Sequence, residues 1–270
     1  MNPLLTLAIH AATEAGKEIK ELYATTDFEQ KDDGSPVTIA DTRANKTLFK
    51  HLSPSGIQIL SEESPGVDLP YPNQMWIIDP LDGTRDFIKK TGDFVVMIGL
   101  LTEGRPTLGV IYAPIHETTY YAEYGMGAWK MQGDVALKLT VSTRTEDLRF
   151  VRSIHHATPE MQEVAKKLNA TFLPRGSMGI KAGMVCEGEG DFFYTRGKVG
   201  EWDVCAPEII TLEAGGCVTD CNGRPLFYGS EDHRIQNGIL FSNTVCHEQV
   251  LTILKEQVPK HLGTCIIDLL

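Results

Sequence analysis

The chain has 270 residues, 42% apolar and 23% charged, a balance that excludes a disordered chain, a collagen and a coiled coil and fits one large layered domain or two lobes. Asp and Glu outnumber Lys and Arg by 36 to 25, and the net charge of −11 disfavours non-specific binding to nucleic acid or to an anionic membrane. A small anionic substrate stays compatible if a local source of positive charge, bound metal above all, overcomes the global field.

The longest apolar run, Phe94–Leu101, falls far short of the ~20 residues a bilayer span needs. The first residues lack a basic start and are interrupted by His10 and Glu14, so they do not read as a signal peptide. The expectation is a cytoplasmic protein, with peripheral membrane association left open.

The chain begins with a predicted helix. Asn2 can cap it, Pro3 suits its first turn, and Leu4, Leu5, Ala8, Ala12, Ala15, Ile19 and Leu22 recur at spacings that give one apolar face. Lys31–Pro36 reads as a turn-rich loop, and a second helix is predicted from about Asp41, with Ala44, Leu48 and Leu52 four apart. The period then shortens. Ile57–Leu60 reads as a strand running into Ser61-Glu62-Glu63, and Trp76–Ile78 as another that ends on Asp79. Phe94–Leu101, Thr107–Tyr112 and Thr118–Glu123, with turn signals between them, predict an antiparallel meander.

From about residue 140 strands and helices alternate. Phe150–Ile154, Asp191–Tyr194, Cys217–Thr219 and Ile239–Phe241 read as strands; Pro159–Leu168, Ser177–Glu187, Val204–Ala214 and Asn243–Lys255 read as helices. The fold class is therefore α+β passing into α/β, with an N-terminal lobe (1–139) that holds the antiparallel sheet and an acidic loop, and a C-terminal lobe (140–270) that completes the site. All six cysteines, Cys186, Cys205, Cys217, Cys221, Cys246 and Cys265, fall in the second half. Without a matching ligand pair for Cys217 and Cys221, they are expected to be buried free thiols. The glycines at 125–127 and 188–190 read as turns. Adjacent His155 and His156 would point to opposite faces of a strand and are not expected to bind metal.

The chemistry concentrates in Trp76–Phe87, WIIDPLDGTRDF. An apolar strand delivers Asp79, Pro80 ends ladder pairing, Asp82 follows three residues later, and Gly83 permits close backbone approach before Thr84 opens a helix. Two carboxylates on one bend repel unless a cation lies between them, and a hard divalent ion with oxygen ligands is the usual solution. The Gly83 and Thr84 N–H groups at a helix start would suit an anion. Taken alone, a D-x-x-D turn can also be plain capping, and Asp41 and Asp203 can each be a helix cap.

Together with this stretch, SEES at 61–64, VTIAD at 37–41 and WDVCAPEIITLEAGG at 202–216 resemble the inositol monophosphatase superfamily of magnesium-dependent, lithium-sensitive phosphatases, in matching order over nearly the whole chain. The stretch from Asp79 to Pro114 and the segment RGSMGIKAGMVCEGEGDFFY most resemble its CysQ group, the 3'(2'),5'-bisphosphate nucleotidases. The resemblance implies a two-lobed, layered αβαβα sandwich and two or three Mg2+ per site. It implies metal ligation by Glu62, Asp79, the Leu81 carbonyl, Asp82 and Asp203. Thr84 backed by Asp41 would orient and deprotonate the attacking water, and Glu63 would hold a metal-bound water. Substrate contacts would come from Leu81, Asp82, Gly83, Thr84, Ser177, Lys181 and Asp203. The 5'-phosphate would fall to Lys181, whose other reading is a solvated helix lysine; Arg175 and Arg196 come next.

The implied reaction is hydrolysis of the 3'-phosphate of adenosine 3',5'-bisphosphate, a step in sulfur metabolism, with a small phosphorylated nucleotide as partner and a homodimer compatible. An inositol or sugar monophosphatase on the same fold is the alternative. An aspartyl-nucleophile phosphatase needs Asp residues two apart, whereas Asp79 and Asp82 are three apart. A non-catalytic metal- or nucleotide-binding regulator would show no phosphate release with Mg2+.

Overall fold

The computed structural model describes residues 2–23, 28–30, 36–155 and 157–256. The body of the expected loop at 31–36, His156 and Cys265 lie outside the described residues.

Helix α1 (Pro3–Leu22) starts where predicted: the Asn2 side chain accepts from the Leu4 N–H at 2.9 Å, and Leu5, Ala8, Ala12, Ala15 and Ile19 are buried. Strands β1 (Phe28–Gln30) and β2 (Pro36–Thr38) pair antiparallel. Helix α2 (Ile39–Leu52) begins two residues before Asp41, which therefore stands in the first turn and not at the cap. There follow β3 (Gln58–Ser61), β4 (Gln74–Asp82), α3 (Thr84–Ile88), β5 (Val95–Thr102), β6 (Arg105–Ala113), β7 (Thr118–Glu123), β8 (Ala128–Gln132) and β9 (Val135–Lys138). They form a seven-stranded sheet in the order β3-β4-β5-β6-β7-β8-β9, parallel between β3 and β4 and antiparallel elsewhere.

The remaining elements are β10 (Arg149–Ser153), α4 (Pro159–Lys167), β11 (Thr171–Arg175), α5 (Met178–Cys186), β12 (Phe192–Thr195), β13 (Val199–Gly200), α6 (Glu201–Glu213), β14 (Gly216–Thr219), β15 (Arg234–Ile235), β16 (Ile239–Asn243) and α7 (His247–Glu256). A five-stranded sheet runs β11-β10-β12-β16-β14, and β13 pairs with β15.

Alternation along the strands explains how these pieces stack. One face of the large sheet, with Trp76, Ile78, Val96, Ile98 and Val110, packs on α1 and α2. The other, with Met75, Ile77, Val95, Met97 and Ile111, packs on α5 and α6, whose far side meets Val151, Phe193 and Phe241 of the second sheet. That sheet turns Phe150, Phe192, Tyr194 and Leu240 to α4 and α7. The result is five layers, helix–sheet–helix–sheet–helix. Because α6 comes from the second half and packs under the first sheet, one apolar core joins both.

Several predicted boundaries move. The meander continues into β8 and β9, which the sequence reading lacked; AWKMQ and VALK have exposed or half-exposed faces and show no clean alternation. The edge strand β11, TFLPR, contains a proline and was also missed. Helix α6 starts at Glu201, three residues before Val204, and tolerates Pro207 within it. Helix α7 starts at His247, not Asn243, because residues 244–246 form a turn. Of the cysteines described, all five are free thiols, four of them buried and Cys217 half-buried. Among the described residues no helix is long and apolar enough to cross a membrane.

Helix α6 lies close on the large sheet. A Cβ at Gly99 of β5 would come within 2.4 Å of the Cys205 Sγ, and one at Gly109 of β6 within 2.7 Å of the Ala206 carbonyl oxygen. The two glycines are cross-strand partners, so they form one shallow seat for the helix.

Further along the same helix, Glu208 is buried and accepts from the Tyr228 hydroxyl at 2.5 Å. Burial pushes its carboxyl from 4.5 up to about 7. The unfolded chain thus gives up this proton near pH 4.5 while the folded protein keeps it to about pH 7, so rising pH costs stability across that interval. Glu208→Gln, which cannot ionise, is expected to stabilise the protein relative to wild type by about 3 kcal/mol more at pH 8 than at pH 4.5, as measured by denaturant unfolding. An equal difference at both pH values would refute the shift.

Candidate active site

Strand β4 carries the site's first carboxylate out of the core. Asp79 is 1% exposed, and its Oδ1 accepts from the Leu81 N–H at 2.9 Å, which fixes its rotamer. The ladder to β5 slips between Asp79 and Asp82, as expected where Pro80 offers no N–H. Leu81 buries its side chain among the residues facing α1 and α2, leaving only its backbone for the site. At Gly83 φ is +95°, and a Cβ would lie 2.7 Å from the Asp93 carbonyl oxygen; only glycine fits this corner. Thr84 opens the short helix α3, and both residues line the adjoining cavity.

The second arm is the first turn of α6. Asp203 sits inside that turn and accepts from the Gly200 N–H at 2.8 Å, so the helix is capped by Gly200 and Asp203 is not its cap. Carboxylate oxygens of Asp79, Asp82 and Asp203 lie within 4.8 Å of one another. Glu62, just after β3, donates its N–H to the Ile78 carbonyl at 3.3 Å and lines the same cavity. Burial first, then repulsion from Glu62, Asp82 and Asp203, drives the Asp79 carboxyl well above the ordinary range. Asp203 is pushed well up by burial, Glu62 and Asp82. Burial raises Asp82 too, against the opposing pull of Lys181 and of the Ser177 hydroxyl.

Such mutual repulsion is relieved by a cation, and an all-oxygen donor set suits a hard divalent one. The residues present therefore fit metal binding by Asp79, Asp82 and Asp203, with Glu62 and the Leu81 carbonyl in reach of the same chemistry. Glu63 is half-buried, its N–H held by Ser61 Oγ at 3.3 Å. It is not among the described residues that line the cavity.

The predicted water-activating pair is in contact: Thr84 Oγ1 donates to Asp41 Oδ1 at 3.1 Å, with the Leu81 carbonyl at 3.3 Å as the competing acceptor. Asp41 is 2% exposed. The hydroxyl has one hydrogen, so it serves one acceptor at a time.

Ser177 caps α5, accepts from the Ile180 N–H at 3.2 Å and donates to Asp82 Oδ2. The Gly179 N–H donates to the same oxygen at 2.8 Å. The amides of this helix start thus hold Asp82. Lys181 is 7% exposed, not a solvated helix lysine, and donates to the carbonyls of Gly176 at 2.8 Å and Ser177 at 2.9 Å. Burial lowers its pKa, against Asp82 and Asp203, which raise it.

A cavity of about 620 Å³ opens from this cluster. It runs from Glu62, Asp82 and Thr84 towards His155, Tyr194, Arg196 and Lys198. Arg196 pairs with Glu160 at 2.8 Å, and Lys198 with Asp232 at 2.9 Å. Arg175 is exposed and donates to the Pro174 carbonyl at 2.9 Å. His155 contacts Asp86 Oδ2 through Nε2 at 2.7 Å, and Asp86 also accepts from Thr91 Oγ1 at 2.8 Å. Sequence reasoning set His155 aside on strand alternation, but β10 ends at Ser153, so that alternation does not reach it. Asp86 entered the sequence reading only within the stretch that resembles the CysQ group, with no role assigned to it.

The sequence profile of the inositol monophosphatase family matches residues 1–258. The chain is similar to the 3'(2'),5'-bisphosphate nucleotidase CysQ of Haemophilus influenzae, 35% identical over 85% of this chain and 88% of that protein. It is also similar to the Nus factor SuhB of Escherichia coli, 30% identical over 96% of this chain and 98% of that one. Among solved structures, CysQ from Bacteroides thetaiotaomicron superposes with a TM-score of 0.78 at 32% identity, covering 88% of this chain and 96% of the other.

Proposed function

This chain belongs to the inositol monophosphatase family of phosphatases, and from that premise we propose that it is a Mg2+-dependent phosphomonoesterase that removes the 3'-phosphate of adenosine 3',5'-bisphosphate, giving AMP and phosphate. The observation that supports this most is the convergence of Asp79, Asp82 and Asp203, the last two lining a cavity that Arg196 and Lys198 also line. Its volume, about 620 Å³, is in the range of small-molecule sites. Divalent cations held by the carboxylates supply charge neutralisation for the phosphoryl group and lower the pKa of a water.

The chain's own residues do the rest. Thr84 Oγ1, held by Asp41, orients the attacking water, and Asp41 receives its proton through the Thr84 hydroxyl. Asp203, fixed by the Gly200 N–H, lies towards the leaving oxygen. Lys181 spends two of its three donors on the Gly176 and Ser177 carbonyls, and the third is offered to the substrate's second phosphate.

The family profile itself, that of the inositol monophosphatases, favours a second reading, a monophosphatase of the inositol type. Phosphate release from adenosine 3',5'-bisphosphate and inositol 1-phosphate, run in parallel with Mg2+, separates the two. The proposal expects at least roughly tenfold higher kcat/KM on the nucleotide, the worth of one charge-assisted contact. A preference for the inositol ester would replace it with the second reading.

A further inference from the structure

Two arms of the site meet away from the cavity, on a single buried carboxylate. Glu201, the first residue of α6, is 0% exposed. Its Oε2 accepts from the Tyr71 hydroxyl at 2.7 Å; its Oε1 accepts from the N–H groups of Gly229 at 2.8 Å and Ser230 at 3.2 Å. Its own N–H donates to the His233 carbonyl at 3.0 Å. Immediately before it, β13 pairs with β15, Val199 opposite Ile235 and Gly200 opposite Arg234. Two segments distant in sequence are thereby gathered onto the start of α6: the connection from β3 to β4, which opens with Glu62 and contains Tyr71, and the loop before β15.

The Tyr71 oxygen also lies 2.7 Å from His233 Nδ1, and the two rings stack with centroids 5.8 Å apart. A phenol has one hydrogen. With that hydrogen given to the Glu201 carboxylate, His233 must carry a proton on Nδ1 and donate it to Tyr71. The chain His233–Tyr71–Glu201 is then polarised in one direction, with the negative charge at its end resting on the N-terminal turn of α6, where the helix dipole favours it.

We propose that Tyr71 and His233 are positioning residues for the metal cluster. Through Glu201 they fix where the first turn of α6 presents Asp203, and they tie that turn to the loop that carries Glu62. None of the three lies among the described residues lining the cavity, so they act through the ligands and not on the substrate. The inference rests on the reading of Asp203 and Glu62 as metal ligands. Residues that orient metal ligands in this way are worth 10–100-fold in metal affinity when mutated.

The test is calorimetric titration of the full chain with Mn2+ in the absence of substrate, so the choice of phosphate ester does not enter. Tyr71→Phe removes one oxygen and keeps the stacked ring; it is expected to weaken Mn2+ binding by roughly tenfold or more. Tyr228→Phe is the control. It deletes the same atom from another buried tyrosine bonded to α6, at Glu208, away from the cluster, and is expected to bind Mn2+ within about twofold of wild type. Wild-type affinity in Tyr71→Phe overturns the clamp alone. Equal weakening in both variants also overturns it, because general loosening of α6 then explains the loss. A wild-type protein that binds no Mn2+ overturns the clamp together with the metal site beneath it.

Discussion

Asp79→Asn is expected to lower Mg2+-dependent phosphate release by roughly 10³-fold or more, the rate equivalent of the several kcal/mol of charge stabilisation a metal site supplies. The same substitution should not weaken the metal-free fold. Asp79 is fully buried, and its carboxyl is already pushed far up by burial and by Glu62, Asp82 and Asp203. A neutral amide keeps the shape and the acceptor for the Leu81 N–H while removing one of the repelling charges. Thermal melting in EDTA is therefore expected at or above the wild-type temperature, with turnover gone. Near-normal turnover in Asp79→Asn, or full activity of chelated wild type, would sink the metal-site reading.

The second large effect is at Asp203. Truncation to Ala removes the acceptor of the Gly200 N–H, worth about 1 kcal/mol as a helix-start contact, and removes one charge of the repelling set. Those two changes oppose each other, so melting should move by only a few degrees. Turnover should fall at least roughly 100-fold, the cost of about 3 kcal/mol in the transition state. A protein that melts several degrees lower but turns over normally would show that Asp203 serves the helix and not the chemistry.

Legibility in the sequence followed the reach of each interaction. The Asp79–Thr84 bend is local: an apolar strand, a proline that interrupts pairing, a glycine at positive φ and a helix start are all written within a few residues, and the structure reproduces each except the strand's end, because β4 continues past Asp79 and pairs again at Asp82. The α+β half followed by an α/β half was legible from the strand-like apolar runs and from helical spacing in α1, whereas the five layers entered only through the family resemblance, and β8, β9 and β11 carry mixed or exposed faces that give no period to read. The Thr84–Asp41 contact spans 43 residues and reached the sequence reading only through the family resemblance. The Tyr71 contacts to Glu201 and His233 span 130 and 162 residues, and no local pattern announces them. Lys181 shows the same limit from another side. Helical spacing placed it on α5, but its burial depends on Asp82 and on the carbonyls of residues 176 and 177, which the fold brings together.

The glycine seat under α6 gives the chemistry an unexpected dependence on residues with no functional group at all. Asp203 rides on a helix whose height above the sheet is set by the absence of a methyl group at positions 99 and 109, where any Cβ would meet Cys205 or Ala206 at well under contact distance. An added methyl there has to be absorbed by lifting the helix, and a lift of even one ångström is large beside the tolerance of a metal–oxygen bond. If Asp203 ligates metal as proposed, its spacing from Asp79 and Asp82 is thus set from below, by the bare α-carbons of Gly99 and Gly109 on the sheet face that meets α6. Drift at these two positions would detune the catalyst while leaving every acidic residue in place.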